Sequence, residues 1–285
     1  MLSAVPEMDI ENERYAVWQD LFEKRCGVKL TQDREVVLTT LIANRIRQLG
    51  LEDEERYLGW LLSGSEGYKE WHLLLDEMLI KETIFFRHQQ SLSFAARRMV
   101  ELHHRGLLDK PFWVWSVGCS TGEEAYSLAI ALEQACQLLG IAPNYGVIGS
   151  DISRSAVKRA SEGRYSSSRL GKLSAQQIRQ FFVQQPEGDY QVADPIRDRV
   201  RFVHSNIVDT ALPHFSKSVH LIYCQNVLIY FRRWMRKRIV QQMVGNLGPN
   251  GCLVLGLGEI SGFVPQGYRR HDSKTVQAYV PAEDV

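Results

Sequence analysis

The chain has 285 residues, of which 45% are hydrophobic and 24% charged, and its net charge is +1. This length predicts one large domain and one small one, the composition excludes a disordered chain, and the near-zero charge excludes binding of polyanions by the chain as a whole. The longest apolar runs, such as residues 114–117 and 253–257, fall far short of the ~20 residues a membrane span needs, so no direct membrane insertion is expected. Glu7, Asp9, Glu11 and Glu13 stand where a secretory signal would be basic and then apolar, which predicts a cytoplasmic protein. The five cysteines (Cys26, Cys119, Cys136, Cys224 and Cys252) are odd in number and form no C-x-x-C pair. They read as reduced, buried thiols rather than a disulfide framework or a metal site.

The charge is unevenly spread: residues 1–90 hold 11 Lys and Arg against 17 Asp and Glu, while the remainder holds 23 against 16. The first 90 residues read as helices. Residues 15–24 carry Val17, Trp18, Leu21 and Phe22 at helical spacing. Residues 32–49 place Val37, Leu38, Leu41, Ile42 and Ile46 on one side, with Gly50 as a C-cap. A third helix is predicted near residues 55–62, then a Gly/Ser loop over 63–67, then a fourth helix over 71–79. Arg45 and Arg47 lie off the apolar stripe of the second helix, in a locally basic stretch with Arg34. Such a cluster is a solvated face or a docking surface for an acidic helix.

From Pro111 the pattern changes to alternating strands and helices. Strands are predicted over 112–117, 146–150, 190–192, 199–203, 219–224, 252–258 and 275–280, with helices over 122–139, 156–162 and 233–247. Residues 248–251, Gly-Pro-Asn-Gly, read as a turn. Strand–helix alternation predicts a mostly parallel sheet with helices on both faces.

Four segments carry the chemistry. In VWSVGCSTGEEAYSLAIAL, residues 114–132, a strand leads through Gly118 and Gly122 into a helix. Glycines there let the backbone approach a ligand, and the helix start offers free amides. The turn is neither a G-x-G-x-x-G fingerprint nor a P-loop. Glu123 and Glu124 would repel a phosphate but suit a ligand bearing an ammonium and a sulfonium; they are also favourable N-terminal helix charges. In GVIGSDIS, residues 146–153, Asp151 falls at the end of a strand, where an acid accepts hydrogen bonds from ribose hydroxyls; a helix N-cap is the alternative. IKETIFFRH, residues 80–88, sets Arg87 beside two phenylalanines. YCQNVLIYF, residues 223–231, brings Asn226 and Tyr230 to a strand's carboxyl end.

In this order, the four segments resemble the chemotaxis-receptor glutamate methyltransferases of the CheR type, whose pattern includes N-x-T-x-F-F-R, a G-E-E turn, S/T-D-I and C-R-N-V-x-I-Y-F. The resemblance covers nearly the whole chain, from residues 27–51, which look like the family's helical segment, to residues 188–207, which look like its small β-subdomain and the strand after it. It implies an α/β fold: a Rossmann-like class I methyltransferase sheet with helices on both faces, a small inserted antiparallel β-subdomain (about residues 180–203), and an all-helical N-terminal domain over residues 1–90 that docks the receptor, the rest forming the cofactor-binding domain. It implies S-adenosylmethionine as cofactor, with S-adenosylhomocysteine as product, and glutamyl methyl esters formed on a chemoreceptor's cytoplasmic domain by a monomer.

Carried over residue by residue, Thr83 and Arg87 contact the methionine end of the cofactor and the reaction centre, with Lys81 at the head of that motif and Gly118 in the turn. Glu124 holds the amino group and Asp151 the ribose. Asn206, Ile207, Asn226 and Val227 line the adenosine, and Tyr230 stands with Arg87 near the transferred methyl. Arg34, Arg45 and Arg47 face the receptor. The sequence departs from the family at three places: Lys81 replaces Asn, Gln225 replaces Arg, and Gly256-Leu257-Gly258-Glu259 replaces G-H-S-E. The departures point to a divergent paralogue serving a pilus-type chemosensory system. The competing readings are a methyltransferase of nucleic acid or small molecules, against which Asn226-Val-Leu-Ile lacks the prolines of a base-methylating tetrad, and a non-catalytic module that senses the cofactor.

Overall fold

The computed structural model describes residues 7–79, 82–108, 110–209 and 219–282, with only the backbone of residues 7–13. Lys81 therefore lies outside the described residues. The chain divides into two compact units: residues up to 80 with Tyr230–Arg232, and residues 81–229 with 233–285.

The first unit is helical: α1 (Glu7–Cys26), α2 (Glu35–Leu49), α3 (Glu54–Leu61) and α4 (Gly64–Met78). Tyr15, Trp18, Phe22 and Cys26 form the buried stripe of α1, at spacings of three and four, while Val17 is half exposed. Leu38 and Ile42 bury α2, and Gly50 ends it in the left-handed conformation the sequence predicts. The predicted loop over 63–67 is instead the start of α4. Gly67 is what permits this, since a Cβ there would lie 2.4 Å from the carbonyl oxygen of Trp60. Beneath α2 lies a buried acid: Glu70 accepts from Arg45 Nε and Nη2, each at 2.6 Å, and from the Tyr57 hydroxyl at 2.9 Å. Glu70 is 5% exposed, so the bidentate partner is what keeps its charge tolerable.

The second unit opens with α5 (Gln89–His104) and continues with β1 (Phe112–Val117), α6 (Glu123–Leu139), β2 (Tyr145–Asp151), α7 (Arg154–Glu162), β3 (Arg164–Tyr165), α8 (Ala175–Phe181), β4 (Phe182–Gln184), β5 (Tyr190–Val192), α9 (Asp194–Arg197), β6 (Val200–His204), β7 (Val219–Cys224), α10 (Arg233–Val244), β8 (Leu247–Leu255), β9 (Tyr268–Arg270) and β10 (Gln277–Pro281). Seven strands make one sheet in the order β6-β2-β1-β7-β8-β10-β9. β6, β2, β1, β7 and β8 run parallel, and β10 runs antiparallel to both of its neighbours, β8 and β9. β1 and β2 are buried along almost their whole length, as strands covered on both faces must be. The order reverses between β1 and β7, and that switch point is where an open α/β sheet leaves a crevice. β3, β5 and β4 form a separate antiparallel sheet, whereas residues 200–204 complete the edge of the large one.

The Gly248–Gly251 signal is not a turn between elements. Those residues lie within β8, where the register against β7 jumps from Val219–Leu247 to Leu221–Cys252. Asn250 adopts φ 59° there, so the glycines and proline serve a bulge. All five cysteines are free and buried.

Candidate functional site

The site is built at the carboxyl ends of β1, β2, β6, β7 and β8. β1 ends in Gly118 at φ 67°, Ser120 at φ 50° and Gly122 at φ 97°, three left-handed residues in five. Gly118 has a second reason to be glycine: a Cβ would lie 2.4 Å from Val227 Cγ2. The turns after β1 and β7 thus come together only because that side chain is missing. The amides of Gly118 and Cys119 both donate to the Ser150 carbonyl oxygen, at 2.8 and 3.0 Å, tying the turn to β2.

Asp151 does not cap α7; Ser153 does, accepting from the Ala156 amide. The Asp151 carboxylate instead accepts from the Ser120 amide through Oδ2 and from the Ser153 amide through Oδ1, each at 2.8 Å. A carboxylate can accept more than one donor on each oxygen, the chemistry a ribose diol requires. The Ser205 amide donates to the Asp151 carbonyl oxygen, which draws the segment of Asn206 and Ile207 to the same edge.

The two glutamates of the turn part company. Glu123 is buried and turned into the protein, where Thr121 Oγ1 donates to it at 2.6 Å and Arg169 approaches at 3.6 Å. Glu124 accepts from Ser116 Oγ at 2.7 Å. Burial pushes the Glu124 carboxyl up to about 8, the Ser116 hydrogen bond and the Arg87 cation pull it down, and a nearby second carboxyl, Glu259, adds to the rise. Glu259 follows β8 and is itself pushed up to about 7 by burial. The backbone amides of Gly256, Asn226 and Val227 draw it back, yet among the described residues neither of its oxygens closes a hydrogen bond of normal geometry. The Ser120 hydroxyl is likewise buried without a partner.

Phe85 and Phe86 act as an anchor. Phe85 is fully buried, edge-on to Tyr165 and Phe182, and the Phe86 amide donates to Ser127 Oγ at 3.0 Å. Arg87 then projects outward, its Nη1 donating to the Glu82 carbonyl oxygen at 3.1 Å. Arg169 Nη1 donates to the Thr83 carbonyl oxygen at 2.7 Å, so a residue between β3 and α8 pins the segment that carries Thr83 and Arg87. His88 Nε2 lies 2.7 Å from Asn226 Oδ1 and fixes the Asn226 amide, whose backbone sits at φ 60°.

The sheet edge thus gathers Gly118, Glu124, Asp151, Asn226 and Val227, with Arg87 close enough to Glu124 to act on its charge. Tyr230 falls in the helical unit, where its carbonyl oxygen accepts from the Lys29 amide at 2.9 Å. Of the basic residues, Arg45 is 19% exposed and committed to Glu70, whereas Arg47 is exposed, its Nη2 donating to Asn44 Oδ1. Four further residues enter the site, Ser116, Glu259, His88 and Arg169, of which only Glu259 stands out in the sequence as part of the departing Gly256–Glu259 segment. Ser116 carries a signal too, a hydroxyl inside an apolar strand; His88 and Arg169 are brought in only by folding.

S-adenosylmethionine fits this donor set. Burial holds both carboxyls near neutrality, with Glu259 adding to the rise at Glu124, and an ammonium and a sulfonium would favour their ionised forms. Asp151 offers paired acceptors to a diol, and glycine-opened backbone admits close approach. The family described as CheR methyltransferase, SAM binding domain, matches residues 81–273, and its all-alpha companion matches residues 13–79. The chain is 31% identical over 243 residues to the chemotaxis protein methyltransferase of Salmonella typhimurium, covering 84% of this chain and 81% of that protein. It is 26% identical over 267 residues to chemotaxis protein methyltransferase 1 of Pseudomonas aeruginosa, covering 92% and 95%. A probable biofilm formation methyltransferase of the same organism, WspC, is 31% identical over 254 residues, covering 88% of this chain and 57% of that protein. With its two domains matched in order and its cofactor cleft framed by the family's motifs, this chain belongs to the CheR methyltransferase family.

Proposed function

We propose that the chain esterifies glutamate side chains of a chemoreceptor with the methyl group of S-adenosylmethionine. When bound, the cofactor supplies an electrophilic methyl on a sulfonium. A free glutamate has an ordinary pKa near ~4.3 and arrives ionised at pH 7, so the reaction needs no general base. What remains for the protein is alignment and charge control; alignment alone contributes on the order of 7–11 kcal/mol. The acceptor's negative charge and the sulfonium's positive charge cancel as the bond forms, which a water-excluding cleft favours.

The observation that carries this reading is the cleft's charge arrangement: Glu124 on Ser116, a second carboxyl at Glu259, and Arg87 as the nearby cation. In it Glu124 holds the cofactor's amino group, Asp151 its ribose, and Asn206, Ile207, Asn226 and Val227 its adenosine. Thr83 and Arg87 face the methionine end, and Arg87 steers the incoming carboxylate. Lys81 stands at the head of that motif, and Tyr230 serves near the methyl. The helical domain docks the receptor through Arg34 and Arg47. The same reading makes the protein a cytoplasmic monomer that acts on the receptor's cytoplasmic domain, without nucleic acid and without entering the membrane. Among the described residues no helix is long and apolar enough to cross a membrane.

The test is transfer of labelled methyl from S-adenosylmethionine to candidate receptors. Counts released as methanol in mild base support a glutamyl ester. Base-stable counts, or transfer only to nucleic acid, would overturn it.

A further inference from the structure

We propose that the outward face of α10 is a second docking surface for the acceptor protein, fitted to an acidic helical segment whose carboxylates repeat one turn apart. The inference rests on the acceptor class proposed above and adds a surface to it. Of the twelve residues of α10, Arg233, Arg236, Lys237 and Arg238 are cationic and none is acidic. Met235, Ile239, Val240, Met243 and Val244 turn inward. The outer arc presents Arg233, Lys237, Arg238 and Trp234, the last of them 57% exposed.

Arg236 is the exception that sets the position. It donates to the Glu259 carbonyl oxygen at 2.9 Å and to the Ile229 carbonyl oxygen at 3.1 Å, which seats the start of α10 against the loops of the cofactor cleft. The other cations differ: among the described residues no carboxylate pairs with Arg233, Lys237 or Arg238. Lys237 instead lies over the Phe263 ring, 5.9 Å from its centre. Cations in the first turns of a helix also oppose the positive end of its dipole. Cations at that end that meet no carboxylate among the described residues are mildly unfavourable, and an outside anion would relieve them.

The geometry selects among anions. Arg233 and Lys237 are one turn apart, as are Trp234 and Arg238, which matches carboxylates at i and i+4 on a facing helix. A bilayer imposes no such register. An exposed Trp between arginines is the composition of a protein-interface anchor. A substrate that offers glutamates for methylation carries the complementary charge, and α10 begins beside the cleft where one of them must arrive.

The test measures binding of the full chain to the purified cytoplasmic domain of a methyl-accepting receptor, in its glutamate form and with those glutamates changed to glutamine. The variants are Arg233→Glu/Lys237→Glu/Arg238→Glu and the milder triple Gln replacement, each checked by calorimetric titration with S-adenosylhomocysteine. The expected result is preference for the glutamate form, with affinity weakened on the order of tenfold by charge reversal, less by neutralisation, and nucleoside affinity unchanged. Equal affinity of the reversed variant, or indifference to the glutamine form, would overturn the proposal. So would patch-dependent binding to mixed phosphatidylcholine–phosphatidylserine vesicles in place of the receptor. The parent reading fails separately: charge-dependent receptor binding without any base-labile methyl transfer leaves the surface standing and removes the activity, and transfer unaffected by charge reversal does the reverse.

Discussion

Cofactor affinity should rise with pH, because binding must ionise a carboxyl that the empty cleft holds protonated. Burial raises Glu124 from an ordinary 4.5 to about 8, so at pH 7 roughly one site in ten carries the charge that an ammonium needs. If only the ionised form binds, the apparent Kd scales as one plus the ratio of protonated to ionised sites. Between pH 5.5 and 7 that factor falls about fifteen- to thirtyfold for a pKa between about 7 and 8. The window stops at pH 7, where the ligand's ammonium is still fully protonated and only the protein's carboxyls titrate. Titration calorimetry with S-adenosylhomocysteine in buffers of different ionisation enthalpy reads both the slope and the proton released, close to one per ligand at pH 7. Glu124→Gln should weaken binding and leave only the shallower dependence due to Glu259. A Kd constant across the window, or a full slope surviving in the Gln variant, would refute the reasoning. The same shift has a stability counterpart of opposite sense. Since the folded state binds this proton more tightly than the unfolded one, the stability it contributes is complete below pH 4.5 and is lost as pH rises through about 8. The loss at pH 7 is at most about 3 kcal/mol, and Glu124→Gln should therefore melt higher than the wild type at pH 7 in the absence of ligand.

Arg45→Ala should destabilise the helical unit by about 3–5 kcal/mol, read by denaturant unfolding, because Glu70 would be left buried without its cation, with only the Tyr57 hydroxyl beside it; Arg47→Ala, at an exposed site, should cost under about 1 kcal/mol. Loss of receptor methylation on changing Arg45 would thus report unfolding, and Arg47 is the cleaner probe of docking. Gly118→Ala should cost about 1–3 kcal/mol in thermal unfolding and weaken cofactor binding, since the new methyl meets Val227 in a left-handed residue; near-native values of both would count against the close approach of the two turns. Arg87→Ala should lower kcat/KM about a hundredfold on an authentic receptor while the fold persists, and unchanged turnover would remove Arg87 from the reaction.

The local devices were legible without coordinates. Hydrophobic period distinguished helices from strands, because burying one stripe or both faces of an element dictates its pattern. Gly118 and Gly122 marked a turn that needs left-handed residues, and Asp151 marked a strand end. Gly64–Gly67 and Gly248–Gly251 misled for one reason: glycine signals close backbone approach as readily as a turn, and here it serves a helix crossing and a bulge. What only tertiary structure decided is which distant groups share a dielectric. Glu259 raises Glu124 from 135 residues away, His88 meets Asn226, and Arg45 is withdrawn from the surface by Glu70. Neither partner's local sequence encodes such a pairing, because the energy of a buried charge depends on its surroundings in space and not on its neighbours along the chain.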